Sequence, residues 1–165
     1  MKDQNIIGID SPVRIYNSLS RQKEVFRTQV AGQVNIYVCG MTVYDYCHLG
    51  HARVLVVFDS VVRYFRSLGV VVHYVRNITD IDDKIIARAT EEGIAPAKLA
   101  ERYIERTTTD LTALGVWTPH HMPRATEYVE QMITLIADLL AKGHAYVAEP
   151  AEGALAPDVY FDVPS

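Results

Sequence analysis

Apolar residues in this chain follow a strand-like run, then a helical period, then a second strand-like run, an order that predicts a βαβ unit. Val34 to Val38 is a β-branched and aromatic stretch closed by Gly40, which reads as a buried strand. Val54, Val57, Phe58, Val61, Val62, Phe65 and Leu68 then recur at helical spacing, with Gly69 placed to end the helix. Val70 to Val75 is the second strand. Two strands joined through a helix are expected to run parallel with a right-handed crossover. The predicted class is therefore α/β with a parallel sheet. Such a sheet needs more strands and cover on both faces, so the chain reads as the front part of a larger protein.

The flanks are patterned differently. Residues 1–12 carry no sustained period and read as a flexible N-terminal extension. Val13 to Tyr16 and Val25 to Val30 read as short strands flanking the polar turn Ser18 to Lys23. Beyond the βαβ unit, helices are expected over Asp80 to Glu92, stopped by Gly93, and over Pro96 to Leu114, with Pro96 in the first turn. Trp117 to Pro123 reads as a loop. A further helix spans Ala125 to Lys142, with Met132, Ile133, Ile136, Leu139 and Leu140 on its apolar face. Two strands, Ala145 to Ala148 and Val159 to Val163, follow.

Composition narrows the class without naming a function. The 165 residues suffice for one sizeable core, and a net charge of −4 argues against a general nucleic-acid coat, so any RNA contact is local or lies elsewhere. The longest apolar cluster, Val54 to Val62, is broken by Asp59 and Ser60, and no basic-then-apolar leader is visible, so secretion is not expected. Two cysteines, Cys39 and Cys47, make neither a disulfide framework nor a Cys-x-x-Cys pair, and a reducing cytoplasm is the expected location.

The chemistry concentrates between the first strand and the helix. His48-Leu49-Gly50-His51 stands where backbone amides lack intrahelical partners and the helix dipole favours an anion, worth about 0.3–1 kcal/mol when exposed. Two imidazoles there can donate hydrogen bonds to phosphate oxygens as charge builds at phosphorus, and Gly50 lets a flat base or sugar approach the backbone. The competing reading is a pair of surface histidines beside a turn glycine. The preceding strand, the following helix and the acidic run Asn77 to Lys84 on the next strand favour the site, since both loops fall on one rim of an open sheet, where ligands bind.

Other candidates have plainer readings. Cys39 and Cys47 on their own merits are buried, inert thiols. His73 and His144 flank strands, and the adjacent His120 and His121 lack a third metal partner. Asp80, Asp82 and Asp83 are explained by helix capping as well as by magnesium. Tyr44 and Asp45 lie where they can shape a substrate pocket, and Arg63 and Arg66 read as a solvated helix face.

Cys39-Gly40-Met41-Thr42-Val43-Tyr44-Asp45, then His48-Leu49-Gly50-His51, then Tyr74-Val75-Arg76-Asn77-Ile78-Thr79-Asp80-Ile81-Asp82-Asp83-Lys84, together resemble the cysteinyl-tRNA synthetases. The tetrapeptide is similar to the His-Ile-Gly-His signature of class I aminoacyl-tRNA synthetases, with Leu49 in the isoleucine position. The similarity runs from Ile15 through Pro123-Arg124-Ala125-Thr126 to Phe161-Asp162-Val163-Pro164.

The resemblance implies a Rossmann-like nucleotide-binding fold, of which residues 13–124 are the first half of the catalytic domain and 125–165 the start of an inserted connective-peptide region. It implies ATP, with Mg2+, bound at His48, Gly50 and His51, with the two histidines catalytic. It implies L-cysteine bound near Cys39, Gly40, Thr42 and Thr79, and tRNA(Cys) as the acceptor of the cysteinyl group, on a monomeric enzyme. Cys39 becomes a ligand of one Zn2+ whose other ligands lie beyond Ser165. Zinc suits the task, because shape separates cysteine from serine by only ~1–3 kcal/mol, whereas a metal favours thiolate over hydroxyl.

The lysine-rich second ATP loop of the family is absent from these residues. The 165-residue chain by itself is accordingly expected neither to charge tRNA nor to bind zinc tightly. Two alternatives accompany this reading: a cysteine ligase acting on an amino-sugar acceptor, and a truncated, non-catalytic nucleotide-binding paralogue.

Overall fold

A computed structural model describes residues 13–150 and 156–163 of the chain; the extension expected over residues 1–12 lies outside the described residues. The chain divides into two compact units, meeting at Arg124 and Ala125.

The first unit opens with an antiparallel hairpin, β1 (Arg14–Asn17) and β2 (Gln22–Val25). The second strand lies earlier than Val25 to Val30, because the pairing is set by polar contacts. Asn17 Oδ1 accepts the Leu19 N–H at 3.0 Å, Asn17 Nδ2 donates to Glu24 at 3.1 Å, and Arg14 donates to the Lys23 carbonyl at 2.9 Å. Polar residues seldom signal a strand in sequence.

The predicted βαβ unit is present. Strand β3 (Gln33–Val38) pairs in parallel with β4 (Val71–Arg76), and α1 (Leu49–Ser67) crosses between them. Val34 and Val38 from β3, Val72 and Tyr74 from β4, and Val62 and Phe65 from α1 make one buried cluster. The strands alternate rather than being buried throughout, since Tyr37 and Val71 on the opposite face are exposed. The inward stripe of α1 is Leu55, Asp59, Val62 and Phe65, leaving Val54 and Val57 exposed.

Asp59 shows why the stripe includes a carboxylate. Its Oδ2 pairs with Arg63 at 2.6 Å, and its Oδ1 accepts the Trp117 N–H at 2.9 Å. Arg63 also donates to the Gly115 carbonyl at 2.7 Å and lies 4.0 Å from the Trp117 ring centroid. Arg66 lies 4.9 Å from the same centroid. These arginines therefore clamp the 115–117 loop instead of forming a solvated face. Asp59→Ala should cost about 2 kcal/mol, the loss of a charged hydrogen bond and an orphaned amide, read by denaturant unfolding.

Two helices follow, α2 (Asp83–Glu92) and α3 (Pro96–Ala113). Asp82 caps α2 by accepting the Lys84 N–H at 2.9 Å, and Gly93 ends it in the left-handed region at φ 64°. Ile85 and Ala89 pack on Leu99, Ala100 and Tyr103 in a second cluster that also takes Val43.

The stretch read as a loop then runs parallel to β4 through isolated bridges. His120 donates to the Tyr74 carbonyl at 2.9 Å, the Arg76 N–H reaches the His121 carbonyl at 3.1 Å, and the Ile78 N–H reaches the Pro123 carbonyl at 2.8 Å. Pro123 has no N–H to donate, which breaks the ladder into bridges rather than a strand. Beside β4 there are thus β3 on one edge and residues 120–124 on the other, in keeping with an open parallel sheet.

The second unit comprises a 3₁₀ turn (Ala125–Tyr128), α4 (Val129–Ala141), and an antiparallel pair, β5 (Ala145–Val147) and β6 (Val159–Phe161). Its apolar residues Met132, Ile133 and Ile136 are exposed among the described residues.

Candidate active site

The first turn of α1 is built from its own histidines. His48 is the N-cap, and its Nδ1 accepts the Gly50 N–H at 3.0 Å, while His51 Nδ1 accepts the His48 N–H at 3.4 Å. This reciprocal cap uses imidazoles where a hydroxyl and a carboxylate are usual. The rings stack with centroids 3.8 Å apart and planes 18° from parallel. Gly50 is required for that arrangement, because a Cβ there would come 2.8 Å from His48 Cε1.

The cap decides the tautomer. With each Nδ1 accepting a backbone N–H, the proton of the neutral ring belongs on Nε2, so both rings present an N–H away from the helix. The first turn of α1 has no acidic residue to cancel the dipole. Burial, and then the neighbouring His48, hold His51 below the ordinary imidazole range. His51 is therefore neutral, and still a donor, at physiological pH.

That displacement has a testable sign. Unfolded chain takes up this proton near the ordinary value of about 6.5, whereas folded chain resists it. The stability His51 contributes is full above that value and is lost as pH falls through the depressed folded one. NMR titration of the ring protons should place His51 below the ordinary value. His48→Asn should raise it only part of the way, because burial is the larger cause.

The second half of the site is a cross-link between the loops after β3 and β4. Asn77 Oδ1 accepts the Gly40 N–H at 2.7 Å, and Asn77 Nδ2 donates to Thr79 Oγ1 at 3.1 Å. Thr42 pairs in parallel with Thr79, and the Val43 N–H reaches the Thr79 carbonyl at 3.2 Å. Gly40 sits so close that an added Cβ would lie 1.7 Å from the Asn77 carbonyl oxygen. Cys39, the residue before it, is an exposed free thiol rather than a buried one. Since β3 and β4 are parallel and α1 follows β3, topology puts Cys39, Gly40, Thr42, the two histidines and Thr79 at one edge of the sheet.

The remaining candidates have structural employment. Burial pushes the half-buried Cys47 thiol up, in keeping with an inert sulfur. Tyr44 packs against the second cluster, and Asp45 caps its own turn by accepting the Tyr46 N–H at 2.8 Å. His120 Nδ1 accepts the Tyr74 N–H at 3.0 Å.

Two functional-looking groups had no distinguishing sequence signal. One is the Asn77 cross-link, visible only once Gly40 lies against it. The other is Arg76, 8% exposed, whose Nη1 is buried with no hydrogen-bond partner beside a cavity of about 40 Å3.

Tetrahedral zinc takes three or four protein ligands, and no group of three or more His, Cys, Asp or Glu residues positioned for a metal occurs among the described residues. Cys39 alone does not make a zinc site. No helix among the described residues is long and apolar enough to cross a membrane.

The fold is that of the class I aminoacyl-tRNA synthetases. Methionyl-tRNA synthetase of Mycobacterium tuberculosis, solved with methionyl-adenylate, superposes with a TM-score of 0.61 at 21% identity, covering 70% of this chain and 23% of that one. The leucyl enzyme in the ternary complex of Agrobacterium radiobacter K84 agnB2 LeuRS-tRNA-LeuAMS superposes with a TM-score of 0.58 at 20% identity, covering 71% of this chain and 15% of that one. Within that class the chain belongs to the cysteinyl-tRNA synthetase family, since the family model for the tRNA synthetases class I (C) catalytic domain matches residues 25–165. A cysteine–tRNA ligase of Halorhodospira halophila is 59% identical over 153 residues, 93% of this chain and 32% of that protein. One of Methylobacillus flagellatus is 54% identical over the same share of each. The chain thus spans about a third of the length of the curated relatives it matches.

Proposed function

We propose that this chain is the front of the catalytic domain of a cysteine–tRNA ligase, the enzyme that joins L-cysteine to tRNA(Cys) through cysteinyl-adenylate. The observation that carries the reading is the stacked His48–His51 pair, with both Nδ1 atoms turned to backbone and both Nε2–H groups free to donate. In adenylate formation a carboxylate oxygen of cysteine attacks the α-phosphorus of ATP, the new acyl–phosphate bond forms, and the bond to pyrophosphate breaks. Negative charge grows on phosphate oxygens as this happens. Donors already aimed by a helix cap stabilise it without reorganising, which is where electrostatic catalysis is strongest.

Gly50 leaves the backbone of the first turn open to the nucleotide. On this reading the Gly40–Asn77–Thr79 cross-link forms the floor of the amino-acid pocket, with Thr42 beside it, and Mg2+ accompanies ATP as its counter-ion. Among the described residues Cys39 is the zinc donor at that pocket, and its exposure leaves the thiol accessible to a metal. The other donors come from chain outside the described residues, and residues from 125 onward begin the inserted connective-peptide region.

The amino-sugar ligase alternative shares the adenylation step and differs in acceptor. The relatives named above favour tRNA, being called cysteine–tRNA ligases at 54–59% identity. The test is cysteine-dependent ATP–pyrophosphate exchange by the complete protein, followed by transfer to tRNA or to an aminoglycoside. Exchange with cysteine but not serine, and charging of tRNA alone, is the expected result. Exchange without tRNA charging overturns the assignment of acceptor, and no exchange overturns the enzymatic reading. The 165-residue chain alone should show no exchange in the same assay.

A further inference from the structure

We propose that Asn77 is a positioning residue that fixes the Thr79 hydroxyl as a hydrogen-bond donor toward an anionic acceptor on the amino-acid substrate. The inference rests on the proposal that Thr79 faces the amino acid, and it adds the direction in which the hydroxyl points its proton.

An asparagine amide has one accepting and one donating end. The accepting end of Asn77 is committed, because Oδ1 takes the Gly40 N–H at 2.7 Å. The amide cannot flip without facing that N–H with its own NH2 group. Its donating end is then forced onto Thr79 Oγ1, 3.1 Å away. A hydroxyl that accepts from an amide still has its own proton to place, and it cannot return it to the same nitrogen. The Thr79 main chain is fixed too, its carbonyl taking the Val43 N–H at 3.2 Å. Threonine is stiff about χ1, so the hydroxyl oxygen has little freedom to leave this place. The surplus proton therefore faces outward from the cross-link.

A donor in that place selects for lone pairs and negative charge. The thiolate and the carboxylate of cysteine both offer lone pairs and negative charge to that proton. The two anionic groups share the same chemistry, and the experiment separates them.

The decisive variants are Asn77→Asp and Thr79→Val in the complete enzyme, singly and together, read by ATP–pyrophosphate exchange. An aspartate keeps the shape and the bond from Gly40 but has no proton for Thr79, so the hydroxyl turns inward to donate to it. The KM for cysteine should rise about 10- to 100-fold in Asn77→Asp, with the KM for ATP and the melting temperature nearly unchanged. Thr79→Val should give a similar rise, and Thr79→Ser should restore most of the affinity. Because both changes remove one interaction, the double variant should be no worse than the weaker single one.

Inhibition by cysteamine, which has the thiol but no carboxylate, separates the acceptors. A parallel loss of its affinity in Asn77→Asp assigns the thiolate, and unchanged affinity assigns the carboxylate. If Thr79→Val leaves the KM for cysteine unchanged, the placement of Thr79 is wrong and the inference falls with it. If Thr79→Val raises that KM but Asn77→Asp does not, or the two effects multiply, Asn77 does not act through Thr79. Asn77→Ala, taken through the same cycle, replaces the aspartate variant should that one lose the fold.

Discussion

Replacing Gly40 with alanine should abolish amino-acid activation, reducing ATP–pyrophosphate exchange by about 100-fold or more while destabilising the protein by about 3 kcal/mol. The reason is steric and lies in the backbone. The methyl carbon would sit 1.7 Å from the Asn77 carbonyl oxygen and 2.7 Å from its carbonyl carbon. Neither atom belongs to a side chain that can rotate away, so one of the two loops must move. Moving either breaks the 2.7 Å bond from the Gly40 N–H to Asn77 and carries Cys39, Thr42 and Thr79 out of register. Exchange kinetics and thermal denaturation of the complete enzyme check both figures. Near-normal exchange in this variant would mean that the cross-link between the loops does not shape the reacting geometry.

The second large effect is expected at the histidine pair. Removing one preorganised donor to a developing oxyanion costs about 10²–10³ in kcat, and His51→Ala should fall in that range with little change in either KM. His48 needs a more careful substitution, because it also caps α1. His48→Ala adds about 0.5–2 kcal/mol of lost capping to the loss of its donor, whereas asparagine is among the best N-cap residues. His48→Asn should therefore keep the melting temperature and still lose the rate. The rings stack 3.8 Å apart and, on the proposed mechanism, serve one charge, so the double variant should fall well short of the product of the singles. Full multiplication of the two losses would show that the histidines act on separate steps.

Much of the frame was legible because its signals are local. The parallel pair and its crossover helix follow from the Val34–Val38 run, the helical period through Val62 and Phe65, and the Val70–Val75 run, and the structure has β3, α1 and β4 in those places. Gly93 and Pro96 bounded their helices for the same reason, since left-handed φ and a missing N–H act within one turn. Three details escaped. The hairpin strand β2 is polar, so no hydrophobic period marks it. Pro119 and Pro123 made the stretch Trp117 to Pro123 read as a loop, yet the His121 and Pro123 carbonyls accept from the Arg76 and Ile78 N–H groups. Arg63 and Arg66 read as a solvated face because nothing near them in sequence reveals Trp117, which lies over fifty residues away.

The candidate site divides along the same line. His48, Gly50 and His51 were recognisable as a motif at a helix start, because a strand, a short motif and a helix are contiguous in the chain. Their stacking, and the Nδ1 contacts that put both protons on Nε2, depend on ring orientations that residue types do not specify.

By itself the amino-acid sequence determined the order of elements, the family and the residue types gathered at one sheet edge. Hydrophobic period, helix caps and contiguous motifs all act over a few residues. Only the tertiary structure decided that Gly40 lies against the Asn77 backbone, that Asn77 bridges to Thr79, and that Asp59 and Arg63 hold the Trp117 loop. Those contacts join residues brought together by parallel pairing and helix packing, so their geometry exists only once the chain is folded.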